Sequence, residues 1–270
     1  MLRLMGLWLL LLNGLAACAA TPPPTATAPL PTRTSTPRPT PTAQPPLLIV
    51  TLGDSLTFGD KDDDPGGGWP RRIQPLILAQ RPGSRVINLA LPGWTSHDLL
   101  RGSGGAPNQI DQAVRELQLA GGEKLATVWI GVNDLFYLYE FGAPTSADEA
   151  READRFGRDL DELLDRLSAT GARVYIALLH DPTLGPVQTS GVFMSTTGEE
   201  WTRMSRQAER YNAIIKAAAA RYGAALVDIP ATKIFATPPL MFEDGIHPNA
   251  RGYDELAKVW WNVLQDTAAR

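Results

Sequence analysis

The chain has 270 residues, of which 44% are hydrophobic and 20% are charged, a composition typical of a globular protein and not of a disordered or fibrous one. Its formal net charge is -4, and the charges are spread along the sequence without a basic stripe suited to a phosphate backbone. The composition therefore predicts one domain of ordinary enzyme size and argues against nucleic acid as a partner.

Residues 1–17 have the features of a signal peptide. Positive charge is confined to Met1–Arg3, and an apolar run from Leu4 to Leu12 and a small-residue stretch follow it. The apolar run is shorter than the stretch of about 20 residues that a transmembrane helix needs. The sequence therefore predicts secretion and disfavours a permanent membrane span.

Cys18 is the only cysteine of the chain, and the segment Leu15–Cys18 resembles the lipobox of bacterial lipoproteins. The resemblance implies that Cys18 is lipidated and becomes the mature N-terminus of an extracytoplasmic protein, anchored to the bacterial cell membrane by more than one acyl chain. The alternative is a plain secretory signal with an incidental cysteine. If Cys18 is lipidated, no thiol remains for a disulfide, a metal site or catalysis.

The rest of the segment 18–46 is predicted to be a linker. Ala19–Pro46 consists almost entirely of Thr, Pro and Ala and contains ten prolines. Proline removes backbone donors, and the segment has too little apolar surface to build a core. In extended polyproline II conformation, its length would hold the next domain up to about 90 Å from the membrane.

The segment 47–270 is predicted to form one domain, because short apolar runs alternate with amphipathic helices. This alternation is the pattern of a parallel sheet covered on both faces. Strands are predicted at Leu47–Leu52, Arg85–Leu89, Ala126–Ile130, Val174–Leu179 and Ala225–Asp228. Apolar stripes at helical spacing predict core-facing helices at Phe156–Leu167, Met204–Ala218 and Tyr253–Leu264.

The first strand ends in the tetrapeptide Gly53–Leu56, which contains a candidate nucleophile, Ser55. Ligands of open α/β sheets bind beyond the carboxyl ends of the strands. A serine on the turn into a helix can expose its hydroxyl there, beside backbone N–H groups that face a developing oxyanion. A tight turn with a helix-capping serine explains the same four residues, and the tetrapeptide alone does not separate the two interpretations.

Asp244, His247 and Pro248 lie just before the last predicted helix and complement this serine. A serine hydroxyl is a poor nucleophile until a neutral imidazole accepts its proton, and that imidazole needs a carboxylate that fixes its tautomer. A carboxylate three residues before the histidine can do this within one loop. Pro248 stiffens the turn. The rate should therefore fall at acidic pH, where imidazoles become protonated.

Two further segments, each after a predicted strand, are candidates for an oxyanion hole. Gly93 lacks a Cβ, so its backbone N–H can approach a substrate closely, although a plain turn residue is the alternative. Asn133 follows Gly131 and Val132, and its side-chain amide could donate a hydrogen bond. A turn or helix-capping role explains Asn133 equally well.

In order and spacing, these four segments resemble the conserved blocks of the SGNH, or GDSL, hydrolase family. The resemblance implies a three-layer α/β/α sandwich with a five-stranded, mostly parallel, flavodoxin-like sheet, and enzymes that need no metal or organic cofactor. It assigns Ser55 as nucleophile, His247 as base, Asp244 as its orienting acid, and Ser55, Gly93 and Asn133 as oxyanion donors. The Gly-x-Ser-x-Gly motif of α/β-hydrolases is absent from the sequence, which argues against that fold.

Three other features have two interpretations each. His180 follows the fourth strand and is either a substrate-binding or a structural residue, and His97 is interpreted as a loop or helix-start residue. The acidic run Asp60–Asp64 could hold a cation or favour positively charged substrates, but beside Gly66–Gly68 it is predicted to be a solvated loop, with no metal site.

The stretch Asp181–Trp201 lacks periodicity, and a connection of this length is often a lid or binding loop that selects the substrate. The preferred substrate is a small-molecule or polysaccharide ester, with O-acetyl carbohydrate esters first and lysophospholipids or short-chain lipids second. An acyltransferase and a non-catalytic carbohydrate-binding lipoprotein remain open as other classes. The sequence does not determine the oligomeric state.

Overall fold

The computed structural model describes residues 45–140, 142–189, 191, 193 and 195–268, with side chains described up to residue 265. The predicted signal peptide, Cys18 and the linker up to residue 44 lie outside the described residues. Within the described part of the chain, no helix is both long enough and apolar enough to cross a membrane.

Strands and helices alternate along the domain. The strands are β1 (Leu47–Gly53), β2 (Arg85–Asn88), β3 (Glu123–Trp129), β4 (Arg173–Ala177) and β5 (Ala225–Val227). The helices are α1 (Ser55–Phe58), α2 (Gly68–Gln80), α3 (Ser96–Arg101), α4 (Gln109–Leu119), α5 (Val132–Glu140), α6 (Ser146–Ser168), α7 (Gly198–Tyr222) and α8 (Ala250–Ala268).

The five strands form one sheet in the order β2-β1-β3-β4-β5, and every neighbouring pair is parallel. The chain leaves β1 towards one edge of the sheet and later leaves β3 towards the other edge. The carboxyl ends of β1 and β3 therefore form the topological switch point, where ligands of such sheets bind. The predicted fold class is confirmed, and the sheet is fully parallel where a mostly parallel one was expected.

Helices cover the sheet in two layers, because right-handed crossovers that move in opposite directions place their helices on opposite faces. The crossover from β1 to β2 contains α2, which packs against α8. Trp69 of α2 stacks on Trp260 of α8 with ring centroids 4.3 Å apart. On the other face, α6 packs against α4 and α7, and α3 and α5 also contact α6.

The core lies between the sheet and these two layers. All three predicted helical stripes are buried, and Phe156, Leu160, Met204, Tyr211 and Tyr253 are each 0% exposed. Burial of such side chains contributes about 1.5–3 kcal/mol each to folding. The helix predictions based on apolar spacing are therefore confirmed.

The prediction was wrong mainly at element ends. Strand β3 begins three residues before the predicted Ala126, and β4 ends at Ala177, two residues before the predicted Leu179. Two short 3-10 turns, Pro182–Leu184 and Pro186–Thr189, occupy the stretch predicted to be irregular. The last four residues of that stretch, Gly198–Trp201, are helical, because α7 begins at Gly198, where Thr197 forms a capping box with Glu200.

Candidate active site

Ser55 lies on the turn between β1 and α1. At the end of β1, Gly53 has a φ of 156°, and a side chain there would meet the carbonyl oxygen of Trp129 at 2.3 Å, so this position requires glycine. Asp54 caps α1 through a hydrogen bond of 3.0 Å from the Leu56 N–H to its carboxylate. The turn presents Ser55 at the carboxyl end of β1 with 6% of its surface exposed.

The side chain of Gln109, the first residue of α4, is hydrogen-bonded to the backbone of this turn. Its Oε1 accepts a hydrogen bond of 2.9 Å from the Gly53 N–H, and its Nε2 donates one of 2.8 Å to the Gly53 carbonyl oxygen. The side chain is 0% exposed. The sequence analysis missed Gln109 because a lone glutamine at a helix start carries no catalytic signal; only the tertiary structure pairs it with Gly53.

The loop before α8 brings Asp244 and His247 to Ser55. Phe242 and His247 are joined by a backbone hydrogen bond of 2.8 Å, which closes the loop. The Asp244 carboxylate accepts hydrogen bonds from the backbone N–H groups of Ile246 at 2.9 Å and His247 at 3.0 Å. Asp244 Oδ2 lies 2.7 Å from His247 Nδ1, and His247 Nε2 lies 2.9 Å from Ser55 Oγ.

These hydrogen bonds favour an ionised Asp244 and one tautomer of His247. Partial burial acts to raise the pKa of Asp244, but the hydrogen bonds from the His247 ring and from two backbone amides outweigh it and hold that pKa below its ordinary value. An ionised Asp244 accepts a hydrogen bond from the protonated Nδ1, so Nε2 carries the lone pair that is directed at the Ser55 hydroxyl. The arrangement can therefore accept a proton from Ser55.

Gly93 and Asn133 approach the same end of the sheet. The Leu91 N–H donates to the Gly53 carbonyl at 3.2 Å, which places the segment before Gly93 beside the end of β1. Asn133 is the second residue of α5, which follows β3, the other neighbour of β1. Asn133 Nδ2 donates to the Trp94 carbonyl at 2.9 Å, so this amide joins the two segments directly.

The backbone conformation at Gly93 suits a donor role. Gly93 has a φ of 77°, in the left-handed region that favours glycine, and its carbonyl accepts a hydrogen bond of 3.0 Å from the Tyr137 hydroxyl. Among the described residues, the backbone N–H groups of Gly93 and Ser55 have no hydrogen-bond acceptor. Both amides are therefore available to a ligand.

A buried polar pair holds the loop that carries Gly93 against α5. Ser96 donates to Asp134 through its backbone N–H at 2.8 Å and through its hydroxyl at 2.6 Å. Burial raises the pKa of Asp134 to about 6, although the hydrogen bonds from Ser96 and the charge of Arg155 act in the opposite direction. The sequence analysis did not single out Asp134, although it directly follows Asn133.

Asp54 is a second buried carboxyl group in the site. It is 1% exposed, and burial raises its pKa to about 7, while the hydrogen bond from Leu56 and the charge of His247 act to lower it. Burial without a cation in contact disfavours the charged form. The nucleophile therefore stands beside a carboxyl group that changes its charge near neutral pH.

The acidic run is partly built into the fold. Asp62 has a fully buried side chain that accepts from the Gly68 N–H at 2.9 Å and forms an ion pair with Arg72. Asp60 lies at the site, with its Oδ2 3.8 Å from His247 Nε2. Across the described residues, no group of three or more His, Cys, Asp or Glu side chains is arranged to hold a metal ion.

His180 is almost fully buried. It is 6% exposed and stacks on Phe235 with ring centroids 3.6 Å apart. Burial lowers the pKa of His180 to about 3, so the imidazole is neutral at ordinary pH. This position supports the structural interpretation and gives no support to direct substrate binding. His97 is the second residue of α3, in agreement with its interpretation as a helix-start residue.

The fold and the comparisons with known proteins define the class of this protein, a carboxylic ester hydrolase. The sequence matches the model of the GDSL-like lipase/acylhydrolase family over residues 51–255, and the chain belongs to that family. The predicted family is thus confirmed. No curated protein matches this chain.

Several solved structures share the fold. TesA is 22% identical with a TM-score of 0.56, over 81% of this chain and 98% of TesA. The esterase EstA from Pseudoalteromonas sp. is 17% identical with a TM-score of 0.57, over 83% of this chain and 99% of EstA. Axe2, an acetylxylan esterase from Geobacillus stearothermophilus, is 20% identical with a TM-score of 0.56, over 82% of this chain and 94% of Axe2. At these identities the similarity shows the fold alone.

Proposed function

We propose that the protein is a serine esterase in which Ser55, His247 and Asp244 form a catalytic triad. The observation that carries the proposal is the continuous pair of hydrogen bonds, 2.9 Å from Ser55 to His247 Nε2 and 2.7 Å from His247 Nδ1 to Asp244. A serine, an imidazole and a carboxylate in this relation are the elements of an activated nucleophile.

The proposed reaction has two steps and uses only side chains and backbone of this chain. His247 accepts the hydroxyl proton of Ser55 as Ser55 Oγ attacks the ester carbonyl. Protonated His247 then gives that proton to the leaving alcohol. Water, deprotonated by His247, hydrolyses the acyl-enzyme and restores Ser55. The N–H groups of Ser55 and Gly93 and the amide of Asn133 stabilise the oxyanion in each step.

The proposed substrates are acetyl or other short acyl esters of carbohydrates. A cavity of about 670 Å³ opens beside the loop that carries Gly93, and Asp148, Glu152 and Arg155 contribute to its lining. No member of the triad lines it, so we assign to it the part of the substrate that lies beyond the reacting ester. Tyr137 also lines it and is 47% exposed, so its ring can pack against a sugar face. Charged groups around an aromatic ring suit a polar leaving group better than a long acyl chain. The structural similarity to Axe2, an acetylxylan esterase, supports the same class.

Hydrolysis of nitrophenyl esters from acetyl to dodecanoyl tests the proposal. Turnover that is greatest for acetyl and is lost in Ser55→Ala is the expected result. Ser168→Ala, a matched change of a serine at the end of α6, should retain full activity. A maximum at long chains would favour a lysophospholipase or lipase. No turnover by a folded protein would overturn the esterase proposal, and acyl transfer to a sugar acceptor would then be assayed.

The proposed location is outside the cytoplasm, with Cys18 lipidated after removal of residues 1–17. This proposal rests on the order of charged, apolar and small residues before the only cysteine. Incorporation of labelled palmitate into the wild-type chain in a bacterial host, and its loss in Cys18→Ser, is the expected result. Equal labelling of both chains would contradict it.

A further inference from the structure

The reacting edge of His247 faces a second carboxylate. Asp60 Oδ2 lies 3.8 Å from His247 Nε2, the nitrogen that is 2.9 Å from Ser55 Oγ. Asp244 occupies the opposite edge of the ring at Nδ1. Both nitrogens of the imidazole therefore lie close to a negative charge.

Backbone hydrogen bonds hold Asp60 in place, and its carboxylate adds one local bond, in which Oδ1 accepts from the Lys61 N–H at 2.9 Å. The Asp60 N–H donates to the Ser55 carbonyl at 3.0 Å, and the Tyr253 hydroxyl donates to the Asp60 carbonyl at 2.9 Å. Gly59, which ends α1 with a φ of 93°, turns the chain back towards the site. Asparagine keeps an Oδ1 that can accept the same bond, so Asp60→Asn should leave the loop in place.

We propose that Asp60 stabilises the protonated form of His247, the imidazolium that arises in both steps of the proposed reaction. An opposite charge at this distance favours the charged form of the ring. The inference rests on the proposed function, in which His247 is the base. Asp60 acts through His247, so it is a positioning residue.

Other charged groups near His247 set the background against which Asp60 acts. Asp244 lies on the same loop, and Asp54, at the start of α1, interacts electrostatically with the ring. Lys61 Nζ lies 3.6 Å from Asp60 Oδ1 and weakens its field. Tyr253, on α8, stays neutral because burial raises its pKa well above the ordinary value. Substitution of Asp60 leaves all of these groups in place.

The test is an NMR titration of the imidazole protons in the full chain, solubilised in a mild detergent. The chain has three histidines. His180 stays neutral above about pH 5 because burial lowers its pKa to about 3, and His97→Gln assigns the remaining signals. In Asp60→Asn the midpoint of the His247 titration should fall by about half a pH unit, the size expected of a partly exposed ion pair.

Asp63→Asn is the matched control, because it removes the same charge from the same loop at an exposed position. Its His247 midpoint should match the wild type. Lys61→Gln should move the midpoint in the opposite direction, to higher pH, and provides a second test if Asp60→Asn does not fold. An unchanged midpoint in Asp60→Asn, or equal shifts in the Asp60 and Asp63 variants, would overturn the proposal.

The pH dependence of turnover gives a second readout. The acid limb of kcat/KM for nitrophenyl acetate should move to lower pH in Asp60→Asn by the same amount as the NMR midpoint. The plateau rate is less informative, because a carboxylate near Ser55 also opposes the charge of the oxyanion. The NMR titration needs no turnover, so failure of the esterase proposal and failure of the Asp60 proposal are distinguishable.

Discussion

Gln109→Leu should lower the stability of the protein and slow the reaction, because Gln109 supports the turn that carries the nucleophile. The side chain of Gln109 is fully buried and makes two hydrogen bonds to Gly53, two residues before Ser55. Leucine is close in volume, so the substitution removes the polar contacts with little change in packing. The backbone of the nucleophile turn then loses its support from α4.

The size of the effect follows from the two bonds. The Gly53 N–H is buried, and a buried donor left without an acceptor costs about 1–3 kcal/mol. The Gly53 carbonyl keeps its hydrogen bond from the Leu91 N–H at 3.2 Å. Loss of the bond from Gln109 Nε2 therefore costs only the net value of one hydrogen bond, about 0.5–1.5 kcal/mol. We expect the free energy of unfolding to fall by about 1.5–4.5 kcal/mol.

Urea unfolding measures the loss in stability. The kcat for nitrophenyl acetate, measured at a temperature where the variant is folded, reports the effect on the nucleophile turn. A tenfold or greater loss in kcat is expected, because small displacements of reacting groups cost up to about 100-fold. Gln112→Leu is the matched control on the same helix, since the Gln112 side chain donates its hydrogen bonds to the backbone carbonyls of Pro107 and Asn108 and not to Gly53. Equal destabilisation in the two variants would refute the argument.

Two further predictions concern carboxyl groups of the site. Asp244→Asn should lower kcat by about 1,000- to 10,000-fold with the protein still folded, because an amide that donates to Nδ1 places the proton on Nε2; a loss below tenfold would contradict this orienting role. Asp54→Asn should stabilise the protein by a few kcal/mol above pH 7 and much less at pH 4.5. The folded-state pKa of Asp54 is raised from 3.8 to about 7, so its charge costs stability as pH rises through that window. Urea unfolding at the two pH values measures this, and a pH-independent difference would contradict it.

Sequence patterns determined the fold class and family because their signals are local. A buried parallel strand is a short apolar run, and a core-facing helix repeats apolar residues every three or four positions. Both patterns can be recognised in a short segment without knowing what it packs against. All five strands and the three long helices with apolar stripes were therefore predicted. Element ends were less predictable, since capping contacts such as Thr197 with Glu200 decide where α7 begins.

The candidate triad could be predicted because each member lies in a recognisable short segment, although Ser55 and His247 are 192 residues apart. The chemistry of acyl transfer requires a base for the serine and a carboxylate for the base, which made Asp244 a specific expectation. Gly93 and Asn133 were named on the same chemical grounds.

Only the tertiary structure decided which other side chains act on this site. Gln109 is 56 residues from Gly53, and Ser96 is 38 residues from Asp134, so no local pattern pairs them. Asp60 belongs to an acidic run that was expected to be solvated. It lies near His247 because α1 is only one turn long and because the Tyr253 hydroxyl of α8 donates to the Asp60 carbonyl. Local residue patterns determine strands, helices and motifs, whereas the distances and burial that set charge and hydrogen bonding arise only when segments distant in sequence pack together.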